Sequence, residues 1–179
     1  MRNEPQVILV DEEDVPIGKM GKQEVHEKGL LHRAFSVFVV NNKKQILLQR
    51  RALTKYHSPG LWTNTCCSHP MPGEGTEVAA HRRLVEELGM GAQLRYLFKF
   101  IYKHEFENGL IEHELDHVFL GRESTGLSLN PEEVDGVKWM GLPEIEEDLK
   151  VNPQSYTPWF KIVFQRFAKE LKDNIHDLV

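Results

Sequence analysis

The sequence predicts an α/β (α+β) fold, a mixed β-sheet flanked by helices, and three observations carry that expectation. Two pairs of strand-like runs are separated by turn residues, the longer pair by Asn108-Gly109. Between the pairs, the segment from Thr76 to Leu88 has helical periodicity and ends at a glycine.

In chain order, Gln6 to Val10 reads as the first strand. Phe35 to Val40 and Gln45 to Gln49 read as a hairpin about Asn41-Asn42-Lys43-Lys44. Thr76 is placed to cap a helix whose residues Ala80, Leu84 and Leu88 recur every fourth position, and Gly89 ends it. At about 100° per residue, Arg83 and Glu87 share one flank of that apolar stripe, whereas Arg82 and Glu86 point further into solvent. Glu87 is thus the better cleft candidate. Leu94 to Glu107 and Leu110 to Arg122 form the longer hairpin, and Val137 to Met140 another strand. Pro143 to Lys150 and Pro158 to Leu171 read as helices, the second directing Trp159, Ile162, Val163 and Phe167 to the core.

With 179 residues, 40% hydrophobic and 27% charged, the chain can bury one sizeable core and is expected to form one domain over 1–179. A formal net charge of -5 argues against a polyanion binder, so no nucleic-acid partner is expected, although local cations could hold a small phosphorylated ligand. No apolar run approaches the roughly 20 residues of a membrane span, and Met1 to Val10 lacks the pattern of a signal peptide. A cytoplasmic protein without a membrane partner is the expectation. The sequence leaves the oligomeric state open. The two cysteines, Cys66 and Cys67, are adjacent and cannot staple distant segments, so they read as free thiols.

Two stretches carry chemistry. From Trp62 to Gly89 a thiol, His69 and a helix ending in paired glutamates lie in one neighbourhood. In Ile111-Glu112-His113-Glu114-Leu115-Asp116-His117, strand alternation sets the three carboxylates on one face and His113, Leu115 and His117 on the other. Carboxylates so placed repel one another, and a cation or a shared proton would offset that. His26, His32 and His69 supply imidazoles; with Glu112 and Glu114 they suit a divalent ion such as Mn²⁺ or Zn²⁺.

The segment from Ser68 to Met90 resembles the Nudix box: Glu74, Arg82, Leu84, Glu86, Glu87, Gly89 and Met90 match it. Ser68 stands where the box begins with glycine, and Arg83 replaces a glutamate that the hydrolases use among their catalytic and metal-binding acids. Those departures resemble the type 1 isopentenyl-diphosphate isomerases, as do Leu31-His32-Arg33-Ala34-Phe35-Ser36, Arg50 to Lys55, Pro59 to Asn64, Cys67-Ser68-His69-Pro70 and Glu112-His113-Glu114. The resemblance implies a Nudix-like fold and isomerisation of isopentenyl diphosphate to dimethylallyl diphosphate, in isoprenoid biosynthesis, through a tertiary carbocation. An alternative is a Nudix pyrophosphohydrolase of a nucleoside diphosphate derivative, which the loss of the acid at position 83 disfavours; a non-catalytic metal-binding module is a third.

What the resemblance implies residue by residue is specific. Cys67 and Glu114 would be the proton-transfer groups, with Tyr102 beside Glu114 as relay or polarising donor. His26, His32, His69, Glu112 and Glu114 would hold the Mn²⁺ or Zn²⁺. Lys22, Arg51, Lys55 and Arg83 would contact the diphosphate, together with Mg²⁺ held by Glu87 and substrate oxygens; no flavin is implied. An Arg83–Glu87 surface salt bridge is the commoner fate of such a pair. Trp62 and Trp159 are candidates for the wall facing the carbocation, with core packing the alternative for either and Trp159 the stronger candidate. His57, His81, His104, His113 and His117 match no position of the family and read as surface or supporting residues.

Overall fold

The structure, a computed structural model, describes residues 4–123 and 126–178. Its elements are β1 (Gln6–Val10), β2 (Pro16–Gly21), α1 (Lys22–Lys28), β3 (His32–Val40), β4 (Gln45–Arg51), β5 (Trp62–Thr63) and β6 (Cys66–Ser68). After them come α2 (Thr76–Leu88), β7 (Ala92–Glu105), β8 (Ile111–Glu123), β9 (Val134–Gly141), α3 (Leu142–Val151) and α4 (Pro158–Leu178).

Strand β3 is the axis, because both of its faces are covered. Phe35, Val37 and Val39 pack with Ala80, Leu84 and Leu88 of α2, whereas Phe38 and Val40 pack with Trp159, Phe160, Val163 and Phe164 of α4. The period of 2 along the strand thus separates two apolar layers, each facing one helix. Burying each such large side chain contributes about 1.5–3 kcal/mol.

The expected hairpin of β3 and β4 exists only at its tip. Asn41 and Lys44 close the turn, but the sole register pair between the strands is Val40↔Ile46. Beyond it the strands part: β6 lies along β3, matching Ser36 with Cys67, and β5 lies along β4, matching Gln49 with Thr63. Residues of β3, β4 and β6 on the flanks of that opening line a cavity. On its other edge β3 runs parallel to β8, from His32↔Glu114 to Val40↔Arg122, and β8 pairs antiparallel with β7 about the turn at Asn108-Gly109.

Several local expectations change. Helix α2 is capped by Gly75 without a side-chain bond, and Thr76 is its first residue; the end is as expected, with Gly89 left-handed at φ 59°. Arg82 does not point away into solvent: its guanidinium takes both oxygens of Glu74, at 2.7 and 2.9 Å, and ties the loop before α2 to the helix. Helix α4 continues past Leu171 to Leu178, bending at Phe167, whose ring meets Phe98 and Phe100 instead of the deeper core. The sequence reading missed β2, α1, β5 and β6. No helix among the described residues is long and apolar enough to cross a membrane.

Candidate active site

One row of side chains crosses three strands. Directly opposite residues of neighbouring strands share a face, and the registers Tyr102↔Glu114 and His32↔Glu114 align Tyr102, Glu114 and His32. Accordingly the Tyr102 hydroxyl donates to Glu114 Oε2 at 2.6 Å, and His32 Nε2 lies 3.5 Å from Glu114 Oε1. His69, just past β6, brings its Nε2 to 2.9 Å from the same Oε1 and 3.2 Å from His32 Nε2.

His26, near the end of the short helix α1, completes this group: one ligand atom each from His26, His32, His69 and Glu114 falls within 4.8 Å of the others. The Nδ1 atoms of His26 and His32 lie 2.5 and 2.9 Å from the main-chain oxygens of Lys22 and Leu30, which turns each Nε2 inward. His26 Nε2 is buried without a partner. Three imidazoles and a carboxylate converging in this way fit a divalent transition ion. Glu112 stands outside this tight group; its Oε2 lies 3.1 Å from Tyr102 Oη and its Oε1 3.8 Å from His57 Nε2.

Burial and neighbours set the protonation states. Burial opposes ionisation of Glu114, but hydrogen bonds from His32 and His69 outweigh it and hold the carboxyl well below its usual range. Burial, then the charge of Glu114, pushes Glu112 well above its usual range. The Cys67 thiol lines the cavity from β6, and burial pushes it up to about 12, so it keeps its proton at neutral pH. Strands β6 and β8 flank β3 on its two edges, so thiol and carboxylate enter the cavity from opposite sides of that strand.

Lys22, Arg51, Lys55 and Arg83 line the same cavity, as do Glu87, Trp159 and two residues that the sequence reading passed over, His57 and Glu133. Burial, followed by the charges of Lys55, Arg51 and Arg83, pulls the Lys22 ammonium below its usual range. Crowding of this kind is relieved by an anion. Arg83 Nη2 donates to Glu87 Oε1 at 2.7 Å, so the i to i+4 pair does form, but inside the cavity and not on the helix surface, while Gln49 Nε2 holds Glu87 Oε2 at 2.7 Å. Trp159 is 4% exposed and donates its indole N–H to Thr63 Oγ1.

Trp62 does not line the cavity. On β5 it faces the side opposite Thr63, under Lys138 Nζ at 4.2 Å and Arg50 at 5.6 Å. His57 corrects the reading in the other sense: it is 8% exposed, packs edge-on to Trp159 at 5.7 Å, and has a buried Nδ1 without a partner. Its loop carries no periodic pattern that would have revealed this. Asp116 is buried behind Glu114, with Ser36 Oγ donating to its Oδ2 at 2.7 Å, and burial followed by the charge of Glu114 pushes its carboxyl well above the usual range.

Comparison with known proteins agrees with this geometry. Residues 30–160 match the NUDIX domain family. The isopentenyl-diphosphate Delta-isomerase of Pectobacterium atrosepticum is 50% identical over 161 residues, covering 90% of either chain. An isopentenyl-diphosphate Delta-isomerase 2 of Photorhabdus laumondii is 52% identical over 155 residues, covering 87% of this chain and 88% of its own. The chain belongs to the isopentenyl-diphosphate Delta-isomerase family. For a member of that family the solved folds are also in keeping: a Deinococcus radiodurans protein superposes with TM-score 0.72 at 20% identity, covering 90% of this chain and 99% of its own. A Methanosarcina mazei MutT protein gives 0.61 at 20% identity, covering 78% and 94%. These two likenesses concern the Nudix fold alone, and the isomerase family sets the chemistry in which the cavity is to be read.

Proposed function

We propose that this chain isomerises isopentenyl diphosphate to dimethylallyl diphosphate, as the names of its relatives describe. The observation that carries the reading is a thiol, Cys67, and a carboxylate, Glu114, lining one cavity from strands on either edge of β3. Protonation of the terminal alkene carbon uses the C=C electron pair and leaves positive charge on the tertiary carbon. Loss of a proton from the neighbouring allylic carbon restores the double bond one position along. Cys67 and Glu114 are the donor and acceptor, exchanging roles in the reverse direction, and Tyr102 holds the carboxylate in place.

The remaining roles follow from position. Lys22, Arg51, Lys55 and Arg83 take the diphosphate, and Glu87 with phosphate oxygens suits Mg²⁺, which needs few carboxylates. His26, His32, His69 and Glu114, with Glu112 beside them, hold Mn²⁺ or Zn²⁺. A divalent ion there would fix the orientation of Glu114 and tune its basicity. Trp159 faces the hydrocarbon, where a cation over an indole gains roughly 2 kcal/mol when desolvated. The same reading takes 1–179 as one domain, a small diphosphate as the partner and the cytoplasm as the location, where free thiols persist.

The test is isopentenyl diphosphate with Mg²⁺ in heavy water, followed by NMR. Dimethylallyl diphosphate carrying deuterium is expected. Unchanged substrate alongside cleavage of a nucleoside diphosphate derivative would favour the hydrolase and sink the isomerase.

A further inference from the structure

Of the four cations in the cavity, two already have an anion. Lys55 Nζ donates to Glu133 Oε2, and Arg83 Nη2 lies 3.4 Å from Glu133 Oε1. Among the described residues Lys22 and Arg51 make no ion pair of this kind; Arg51 donates to the main-chain oxygen of His57 at 3.2 Å. One carboxylate, Glu133, thus spans two of the four cations, and Arg83 also pairs with Glu86 and Glu87, each at 2.7 Å.

We propose that Glu133 is an internal stand-in for phosphate, occupying Lys55 and Arg83 until a diphosphate displaces it. The proposal rests on the diphosphate reading of the cavity and makes Glu133 a determinant of how tightly that group is held. A carboxylate that accepts from an ammonium and a guanidinium takes the donors that a phosphate oxygen would take. The carboxylate is 24% exposed, so it can swing toward solvent when displaced. Its backbone cannot follow: Glu133 N donates to Asn130 O at 3.0 Å, Ala52 N donates to Glu133 O at 3.0 Å, and Asn130 N donates to Glu87 O at 2.9 Å. The turn is thereby fixed both to the loop after β4 and to the end of α2. An anion entering the cavity first meets Lys22 and Arg51, then competes with Glu133 for the other two cations.

Competition has a sign. Glu133→Gln keeps the shape of the side chain, removes the competing charge and leaves Lys55 without a carboxylate partner among the described residues, while Arg83 keeps Glu86 and Glu87, so inorganic pyrophosphate should bind more tightly, on the order of tenfold. Isothermal titration of pyrophosphate at fixed Mg²⁺ reads this, and Glu133→Asp, which retains the charge, should stay near the parent value. Affinity that is unchanged or weaker in Glu133→Gln overturns the proposal, since a carboxylate that helps to bind Mg²⁺ or merely props the cations would give that result. Should the Gln variant fail to fold, the Lys55 ammonium signal of the parent chain, followed by nitrogen NMR, should shift as pyrophosphate is added; a stationary signal overturns displacement. None of these measurements uses turnover, so failure of the isomerase reading would appear separately, in the heavy-water assay.

Discussion

Tyr102 Oη lies 2.6 Å from Glu114 Oε2 and 3.1 Å from Glu112 Oε2, so one phenol joins two buried carboxylates of β8. Burial, then the charge of Glu114, pushes Glu112 well above its usual range, whereas hydrogen bonds from His32 and His69 hold Glu114 well below it. When Glu112 is protonated, the group can form a chain in which Glu112 donates to the phenol oxygen and the phenol donates to Glu114 at 2.6 Å. That chain fixes the carboxylate which the proposed reaction uses.

Tyr102→Phe removes the hydroxyl alone. Turnover should drop by about 100-fold, the usual worth of a positioned proton-transfer partner. The lost donor to buried carboxyls should also cost about 1–3 kcal/mol of stability. Steady-state kinetics and urea unfolding measure the two effects; a variant of unchanged kcat would remove Tyr102 from the mechanism.

Cys67 and Cys66 should separate cleanly. Cys67→Ser should abolish turnover, by about 100-fold or more, while pyrophosphate affinity stays near the parent value, since the cations are untouched. Cys66 is wholly buried in the layer beneath α2. Cys66→Ala should therefore keep its activity and lose modest stability. Equal loss of turnover in both variants would point to packing of the segment, not proton transfer.

Acid should unfold the chelator-treated chain from an unusually high pH. Burial holds His57 down to about 2 and His69 to about 3, and also lowers His26 and His117. A histidine whose pKa is lowered by folding binds more protons when unfolded. Its stabilisation is full above the unfolded value of about 6.5 and is lost as pH falls below it, by up to about 1.4 kcal/mol per pH unit for each group. Glu112 and Asp116, raised by folding, offset part of this loss. Urea unfolding at pH 7.5, 6 and 5 should show declining stability, and His57→Phe should flatten the decline by about one proton's worth. A parent whose stability is flat over that range contradicts the assignment.

Legibility in the sequence followed the range of the interactions. The Asn-Gly turn and the carboxylate alternation of β8 are local, and both were read correctly, as was the end of α2 at Gly89. Strands β5 and β6 have two and three residues, too few for any period to show, and they form because β3 and β4 part. The face of Trp62 depends on that short pairing, so the sequence left it open between cavity wall and core, and the ring packs against the core. Glu133 enters the cavity from a loop held by the long-range bond of Ala52 to Glu133, and His57 from an aperiodic loop tied to Arg51, and neither carries a pattern that announces it. The histidine group was suggested by residue types and made specific only by family resemblance, since its ligands lie on α1, β3, β8 and the segment after β6.

Gly89 links stability to the site, and a paired substitution isolates the link. At φ 59° it is left-handed, and a Cβ there would meet Ser128 O and Ser128 Cβ, each at 2.7 Å. Gly73, at φ 83°, is left-handed too, but a Cβ there meets nothing within 4 Å. Either glycine changed to alanine should lose about 1–2 kcal/mol from the backbone alone. Only Gly89→Ala adds the collision. Ser128 N bonds Leu88 O at 2.8 Å and Asn130 N bonds Glu87 O at 2.9 Å, so a displaced Ser128 pulls on the end of α2 and on the turn that carries Glu133. Gly89→Ala should therefore be the less stable of the two in urea and should alter pyrophosphate affinity, whereas Gly73→Ala should leave that affinity alone. Equal losses in both variants, with affinity unchanged, would mean that the strap from Ser128 to Glu133 yields freely and does not position the site.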